Sequence, residues 1–105
     1  MIKVIKNGKV AVLVSPGFGA GWSTWTNEDP ETLIFDHRIV TLVECRKTHK
    51  ITDEFMKKEF GIDMYCGGAK DLEIEWIDKG TQFRIEEYDG SESIHVIGSC
   101  DYFTA

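Results

Sequence analysis

The chain has little of what marks several classes of protein. Its 105 residues include two prolines and three cysteines, with no Cys-x-x-Cys pair. Cys45, Cys66 and Cys100 therefore fit reduced packing residues better than a disulfide framework. No apolar run approaches the roughly 20 residues of a membrane span, and residues 1 to 6 alternate charge where a signal peptide would be apolar. We expect a cytoplasmic protein.

Positive charge is also scarce. The chain has 18 acids and 12 bases, a formal net charge of -6, and general binding to nucleic acid is not expected because it rests on neutralising many phosphates. Residues 71 to 92 hold eight acids and two bases, whereas residues 36 to 60 hold six bases and five acids. We interpret both segments as solvated faces. A small local basic pocket remains compatible with this distribution.

The first half of the chain predicts a hairpin followed by helices. Residues 2 to 6 and 9 to 14 form two strands joined at Asn7-Gly8, and the second strand, apolar on both faces, is expected to be central. Residues 26 to 31 are polar and turn-like. One helical pattern runs from an N-cap at Asp36 to about Lys47, and another begins at Thr52 or Asp53 and stops at Gly61.

The last third of the chain alternates apolar and polar residues. Segments 72 to 77, 83 to 86 and 94 to 97, with turns at 78 to 80 and 89 to 90, predict an antiparallel meander with one acidic face. Tyr102 and Phe103 are expected to pair at an edge. The sequence thus predicts one α+β domain with an N-terminal β-hairpin, two helices, an antiparallel meander, and the helices packed on one sheet face.

Residues 15 to 25 are the most distinctive segment, because Gly17, Gly19 and Gly21 alternate and Trp22 and Trp25 follow. Their spacing matches neither the dinucleotide fingerprint nor the P-loop. A glycine-rich backbone can still turn its amides toward an anion, and tryptophan rings can stack on planar groups. The rings could equally plug the end of a small core, and the sequence leaves both interpretations open.

Other groups offer less chemistry. The acidic segment from residue 86 to 93 lacks the spaced ligands of a calcium loop, although Tyr88 could add polar contacts to a pocket built elsewhere. Cys66 precedes two glycines, but nothing fixes a histidine base beside it. Cys45 and His49 have helical spacing but no second ligand pair for zinc. We expect no catalytic residue, metal or cofactor.

Two blocks of the sequence resemble a known family. The pattern KxGKVAVL at residues 6 to 13, SPGFGAGW at 15 to 22 and Trp25 is similar to small uncharacterised accessory proteins of tailed bacteriophages. The segments EW at 75, GT at 80, FRI at 83 and EYDGSES at 87 resemble a second block of that family. The resemblance carries no catalytic residues. It implies action inside an infected bacterium, where small phage domains often inhibit host defence.

These observations give one leading function and two alternatives. The leading prediction is a non-enzymatic, homo-oligomeric protein that sequesters a nucleotide-like signalling molecule, with loop amides on phosphate, a tryptophan on a base and an arginine neutralising charge. The predicted ligand-binding residues are Ser15, Gly17, Phe18, Gly19, Gly21, Trp22, Trp25, Arg38, Arg46, Arg84, Tyr88 and Ser91. The first alternative is an acidic protein-protein inhibitor of a host enzyme that mimics nucleic acid. The second is a small hydrolase that uses Cys66.

Overall fold

A computed structural model describes residues 1–26, 29–96 and 103–105 and confirms the α+β class. The strands and helices are β1 Ile5–Lys6, β2 Lys9–Val14, α1 Pro30–Phe35, α2 His37–Glu44, α3 Asp53–Phe60, β3 Glu73–Asp78, β4 Gln82–Tyr88, β5 Ser91–Val96 and β6 Phe103–Thr104. Short 3-10 turns occur at Ser23–Trp25, Thr48–Lys50 and Ala69–Asp71. Within the described ranges no helix is long and apolar enough to cross a membrane.

The first hairpin forms at the predicted turn and its second strand is central, but its first strand spans only Ile5–Lys6 and not residues 2 to 6. Asn7 and Gly8 both have positive φ angles, 53° and 75°, which is the geometry of a tight two-residue hairpin turn. β2 pairs antiparallel with β1 on one side and with β3 on the other. Its side chains from Val10 to Val14 are buried, because both faces of the strand are covered.

The predicted meander is wrong in its pairing. β3 joins β2 in the first sheet, while β4 lies between β5 and β6 in a second sheet. The turn after β3 does not fold β4 back onto it, because the Lys79 amide donates to the Gly8 carbonyl and the Gly80 amide donates to the Ala105 carbonyl. An apolar β2 needs a partner on both edges, and β3 supplies the second one. Phe103 pairs with Phe83 at an edge, whereas Tyr102 and Ile97 lie outside the described residues.

Alternate residues of β2 face two apolar clusters. Ala11 and Leu13 pack in a cluster with residues of α2 and α3, and these helices cover that face of the sheet. Val10 and Val12 pack on the opposite face in a cluster with Phe83 of the second sheet. The alternation of side chains along a strand explains this division. The sheet of β1, β2 and β3 therefore lies between helices α2 and α3 and the second sheet. The prediction that the helices pack on one sheet face is wrong for α1, because its residues Ile34 and Phe35 join the cluster with Phe83.

Local capping explains where the helices begin. The Asp36 carboxylate accepts from the Arg38 amide at 2.9 Å and caps α2, as predicted, although α2 ends at Glu44 rather than Lys47. Thr52 caps α3, and Gly61 ends it with φ 71°. Helix α1 was not predicted, and the turn expected at residues 26 to 31 is wrong from Pro30 onward. Asp29 caps the helix and Pro30 occupies its first turn, a position that suits proline because no amide is needed there.

Candidate functional site: the glycine loop and the hairpin tip

The two blocks that stand out in the sequence meet in space. We call residues 15 to 25 the glycine loop and residues 87 to 92, at the turn between β4 and β5, the hairpin tip. The Gly19 amide donates to the Asp89 carbonyl at 2.9 Å, and the Ser91 hydroxyl donates to the Pro16 carbonyl at 2.6 Å. The Glu92 amide donates to the Ser15 carbonyl at 2.9 Å. The loop and the tip thus form one structural unit.

A buried carboxylate holds this unit together. Glu92 is 2% exposed and accepts hydrogen bonds from the amides of Ser15 at 2.9 Å, Trp22 at 2.7 Å and Thr24 at 3.1 Å. It also accepts from the Thr24 hydroxyl at 2.6 Å. Such hydrogen bonds compensate the cost of burying a charge. The glycine loop therefore does bind an anion through its amides, but that anion is part of the same chain.

A second glutamate lies directly across the hairpin. Glu87 of β4 pairs with Glu92 of β5, and like charges in this relation normally destabilise a sheet. The Glu87 carboxylate accepts from the Trp25 indole N–H at 2.7 Å and from the Gly90 amide at 3.3 Å. The turn Ser23–Trp25 therefore supplies donors to both glutamates, which offsets their repulsion and fixes the direction of the Trp25 side chain.

Two glycines outside the loop allow its backbone to approach. A Cβ atom at Gly90 would lie 2.5 Å from the Ala20 nitrogen, and one at Gly68 would lie 2.8 Å from the Ala20 carbonyl oxygen. Real Cβ atoms do not come so close to backbone, so both positions need glycine. Ser15 adds a further tie, because its hydroxyl donates to the Gly68 carbonyl at 2.8 Å. The loop is thus packed on both sides by backbone.

The structure separates the two tryptophans. Trp22 is 0% exposed, and its indole N–H donates to the Leu33 carbonyl at 2.7 Å, so its ring plugs the core and offers no surface for stacking. Trp25 is 46% exposed, Phe18 72% and Tyr88 79%. We call these three residues the aromatic tip. They are the predicted binding residues whose rings reach the surface.

The predicted arginines make contacts elsewhere. Arg38 bonds to Asp36, and its guanidinium carbon lies 4.1 Å from the centroid of the Phe60 ring. The hydrogen bond to Asp36 raises the pKa of Arg38. Arg84 pairs with Glu86 at 2.8 Å, and Arg46 is exposed just beyond α2. In the described part of the chain, the contacts of these three arginines do not involve the glycine loop, whereas Ser15, Gly17, Gly19, Gly21 and Ser91 belong to it or adjoin it.

Cys66 is poorly suited to act as a nucleophile. Burial, reinforced by a hydrogen bond to Asp53, raises the pKa of the thiol to about 12, so the reactive thiolate is scarce at neutral pH. The thiol lines a cavity of about 580 Å³ together with Asp53 and Glu54, whose charges also disfavour a thiolate. Among the residues in ranges 1–26, 29–96 and 103–105, no group of three His, Cys, Asp or Glu is placed to hold a metal.

The residues that organise the site were missed as site residues, although the sequence holds a signal for them. Glu92 shares a strand face with Ile94, and Glu87 shares one with Ile85, because alternate residues point the same way. A glutamate on an otherwise apolar face indicates a carboxylate that needs donors, and of these two only Glu92 is buried. Gly68 had no comparable signal, because its role depends on which backbone packs against it.

Comparison with known proteins adds no assignment: no family model, curated protein or solved structure matches this chain. A function must therefore be argued from the geometry of the site.

Proposed function

We propose that this chain is a non-enzymatic binding protein that inserts its hairpin tip into a basic cleft of a protein partner. The observation that carries the proposal is the aromatic tip: Phe18, Trp25 and Tyr88 are exposed on a backbone that Glu92 and the Gly68 and Gly90 contacts hold in place. Exposed aromatic side chains on a preorganised backbone are typical anchors of protein interfaces.

The shape of the tip favours a protein partner over a small molecule. Alternation along β4 directs Tyr88 and Glu87 to opposite faces of the hairpin, and the Glu87 carboxylate bonds to Trp25. Tyr88 and Trp25 therefore flank the tip instead of lining one cavity, whereas small-molecule sites are concave. A cleft that surrounds the tip would contact both rings.

The negative charge of the tip indicates a partner with a positively charged surface. Glu87 and Asp89 are exposed at the tip, and Arg84, the base of the same strand, is paired with Glu86. A basic cleft would be attracted to this surface and would bind faster at low salt. The resemblance to phage accessory proteins supports a host enzyme as the partner, with inhibition of host defence as the outcome.

Affinity capture with matched variants tests the proposal. We expect a stoichiometric host protein to be retained by the unmodified chain and lost from the double variant Phe18→Ala/Tyr88→Ala. Tyr65→Ala removes another exposed ring, which lies outside the tip, and should leave capture intact. Asp89→Asn keeps a residue that tolerates the positive φ of 51° and should weaken capture at low salt. Equal capture by all four proteins would contradict the proposal.

Sequestration of a nucleotide-like signalling molecule remains the second candidate, favoured by the exposed ring of Trp25. Glu92 occupies the amides of Trp22 and Thr24, so phosphate recognition would have to come from other groups, such as those of a second copy closing the site. Calorimetry against cyclic dinucleotides, cyclic trinucleotides and cyclic ADP-ribose isomers tests this candidate. Binding that Trp25→Phe preserves and Trp25→Ala abolishes would support it, and no heat with any compound would exclude it.

A further inference from the structure

We propose that a depression beside the turn of the first hairpin binds a nucleotide, with its phosphates between Lys6 and Lys9 and its base on the ring of Trp76. The depression has a volume of about 530 Å³ and is lined by Lys6, Asn7, Lys9 and Trp76. Small-molecule sites in proteins commonly measure roughly 300 to 1,000 Å³. This site is separate from the hairpin tip and does not depend on the function proposed for it.

The two lysines are placed by the turn. Asn7 and Gly8 close the hairpin, so that Lys6 of β1 lies directly opposite Lys9 of β2. Like charges in directly opposed positions repel each other and destabilise the strand pair. A phosphate between the two ammonium groups would replace this repulsion with two attractions. The turn therefore builds a place for an anion in a chain whose overall charge is -6.

The carboxylates that pair with Lys6 and Lys9 are exposed, so an anion can replace them. Lys6 pairs with Glu44 at 3.0 Å, and Lys9 approaches Asp78 at 3.9 Å. Both pairs are at the surface, where ion pairs contribute little and exchange readily. Lys79 lies in the adjoining turn and donates its amide to the Gly8 carbonyl. Lys6 and Lys9 are thus balanced by Glu44 and Asp78, and a phosphate would bind the two lysines by displacing these exposed partners.

The ring of Trp76 supplies the planar contact. Trp76 is half-buried and packs against the cluster under α2 and α3, which fixes the position of its ring. The Lys6 ammonium lies 5.5 Å from the ring centroid. Because the Lys6 side chain is exposed, a change of rotamer would move its ammonium to a phosphate and free the ring for a base. Aromatic rings stack on any base, so the site specifies a nucleotide and not one particular base.

Titration of the full chain with ADP at low ionic strength, followed by two-dimensional NMR, tests the site. We expect saturable shifts of the Trp76 indole signal and the Gly8 amide signal, and weaker binding of adenosine and of pyrophosphate than of ADP. The variant Lys6→Gln/Lys9→Gln should weaken ADP binding by about tenfold or more. Lys57→Gln is the matched control, because Lys57 is another surface lysine with a carboxylate partner, Asp63.

Three results would overturn the proposal. One is the absence of saturable shifts with millimolar ADP. Another is equal ADP affinity in Lys6→Gln/Lys9→Gln and Lys57→Gln, since the lysines would then have no part in binding. The third is a shift confined to the Trp25 indole, which would move the ligand to the hairpin tip. The substituted lysines lie on the surface, so we expect the variants to fold, and the same spectra verify this.

Discussion

Replacing Glu92 with glutamine should destabilise the fold far more than replacing Glu87, although the two residues face each other across one hairpin. Glu92 accepts from the buried amides of Ser15 and Trp22. Glutamine keeps one oxygen acceptor but turns an NH₂ group toward an N–H donor. Leaving one buried donor unsatisfied costs about 1–3 kcal/mol, so we expect Glu92→Gln to lose about 2 kcal/mol of unfolding free energy. Glu92→Ala leaves the two buried amides and the half-buried Thr24 amide without this acceptor and should lose about 4 kcal/mol or more.

These losses are large for a single small domain, whose total stability is about 5–15 kcal/mol. Urea unfolding followed by circular dichroism measures them, and a thermal scan of Glu92→Gln should show a midpoint lowered by about 10 °C. Glu87→Gln is the matched control: its bond to Trp25 is exposed, so its loss should stay below about 1 kcal/mol. If the free energy of unfolding of Glu92→Gln lies within about 0.5 kcal/mol of that of the unmodified chain, Glu92 does not hold the loop.

Three further measurements test the packing of the glycine loop, the core role of Trp22 and the reactivity of Cys66. Gly90→Ala and Gly80→Ala both place a side chain at a positive φ, but only the Cβ at position 90 meets backbone atoms. In urea unfolding, Gly90→Ala should therefore be less stable than Gly80→Ala by about 1–3 kcal/mol. Trp22→Phe should lose about 2 kcal/mol, because a buried carbonyl loses its donor, and an unchanged midpoint would contradict the core role. At pH 8, alkylation followed by mass spectrometry should label the exposed Cys45 well before Cys66, whose pKa is about 12; equal rates would contradict this.

The raised pKa of Cys66 also predicts a pH dependence of stability. The thiol has an ordinary pKa of 9.0 and a folded-state pKa of about 12, so the unfolded chain loses this proton first as pH rises. The contribution of Cys66 to the free energy of unfolding should therefore be fully present below pH 9 and should be lost between pH 9 and 12. Cys66→Ser should show a smaller fall over the same window. Parallel urea titrations of the two proteins measure the difference, and identical pH profiles would count against the shifted pKa.

Local turn and cap chemistry made the early part of the fold predictable. Asn7-Gly8 requires two positive φ angles, Asp36 accepts from an amide two residues on, and Gly61 accepts the left-handed conformation. Each depends on neighbours in the sequence. Asp29 followed by Pro30 is a local signal of the same kind, since an N-cap residue before a proline is typical of the start of a helix.

Strand pairing could not be predicted in the same way. The alternation of residues 72 to 77 identifies a strand, but it does not say whether that strand pairs with β2 or with β4. The choice depends on the unpaired edge of the buried strand β2. Strand β3 pairs with that edge and not with β4, its neighbour in the sequence. The positions of Arg38 and Gly68 likewise depend on contacts between distant segments. Glu92 was more accessible to prediction, because it lies two residues before Ile94 on the same strand, which places a charge on an apolar face.

The positions of the two proposed surfaces make them separable by experiment. Lys9 begins β2 and Val14 ends it, so the hairpin turn and the glycine loop lie at opposite ends of one strand, about 20 Å apart at the usual rise per residue. Variants this far apart act independently when they share no contact. The surfaces also differ in their side chains, because the turn presents Lys6 and Lys9 whereas the tip presents carboxylates. Loss of ADP binding in Lys6→Gln/Lys9→Gln with intact protein capture, and the reverse in Phe18→Ala/Tyr88→Ala, would assign one ligand to each end of β2.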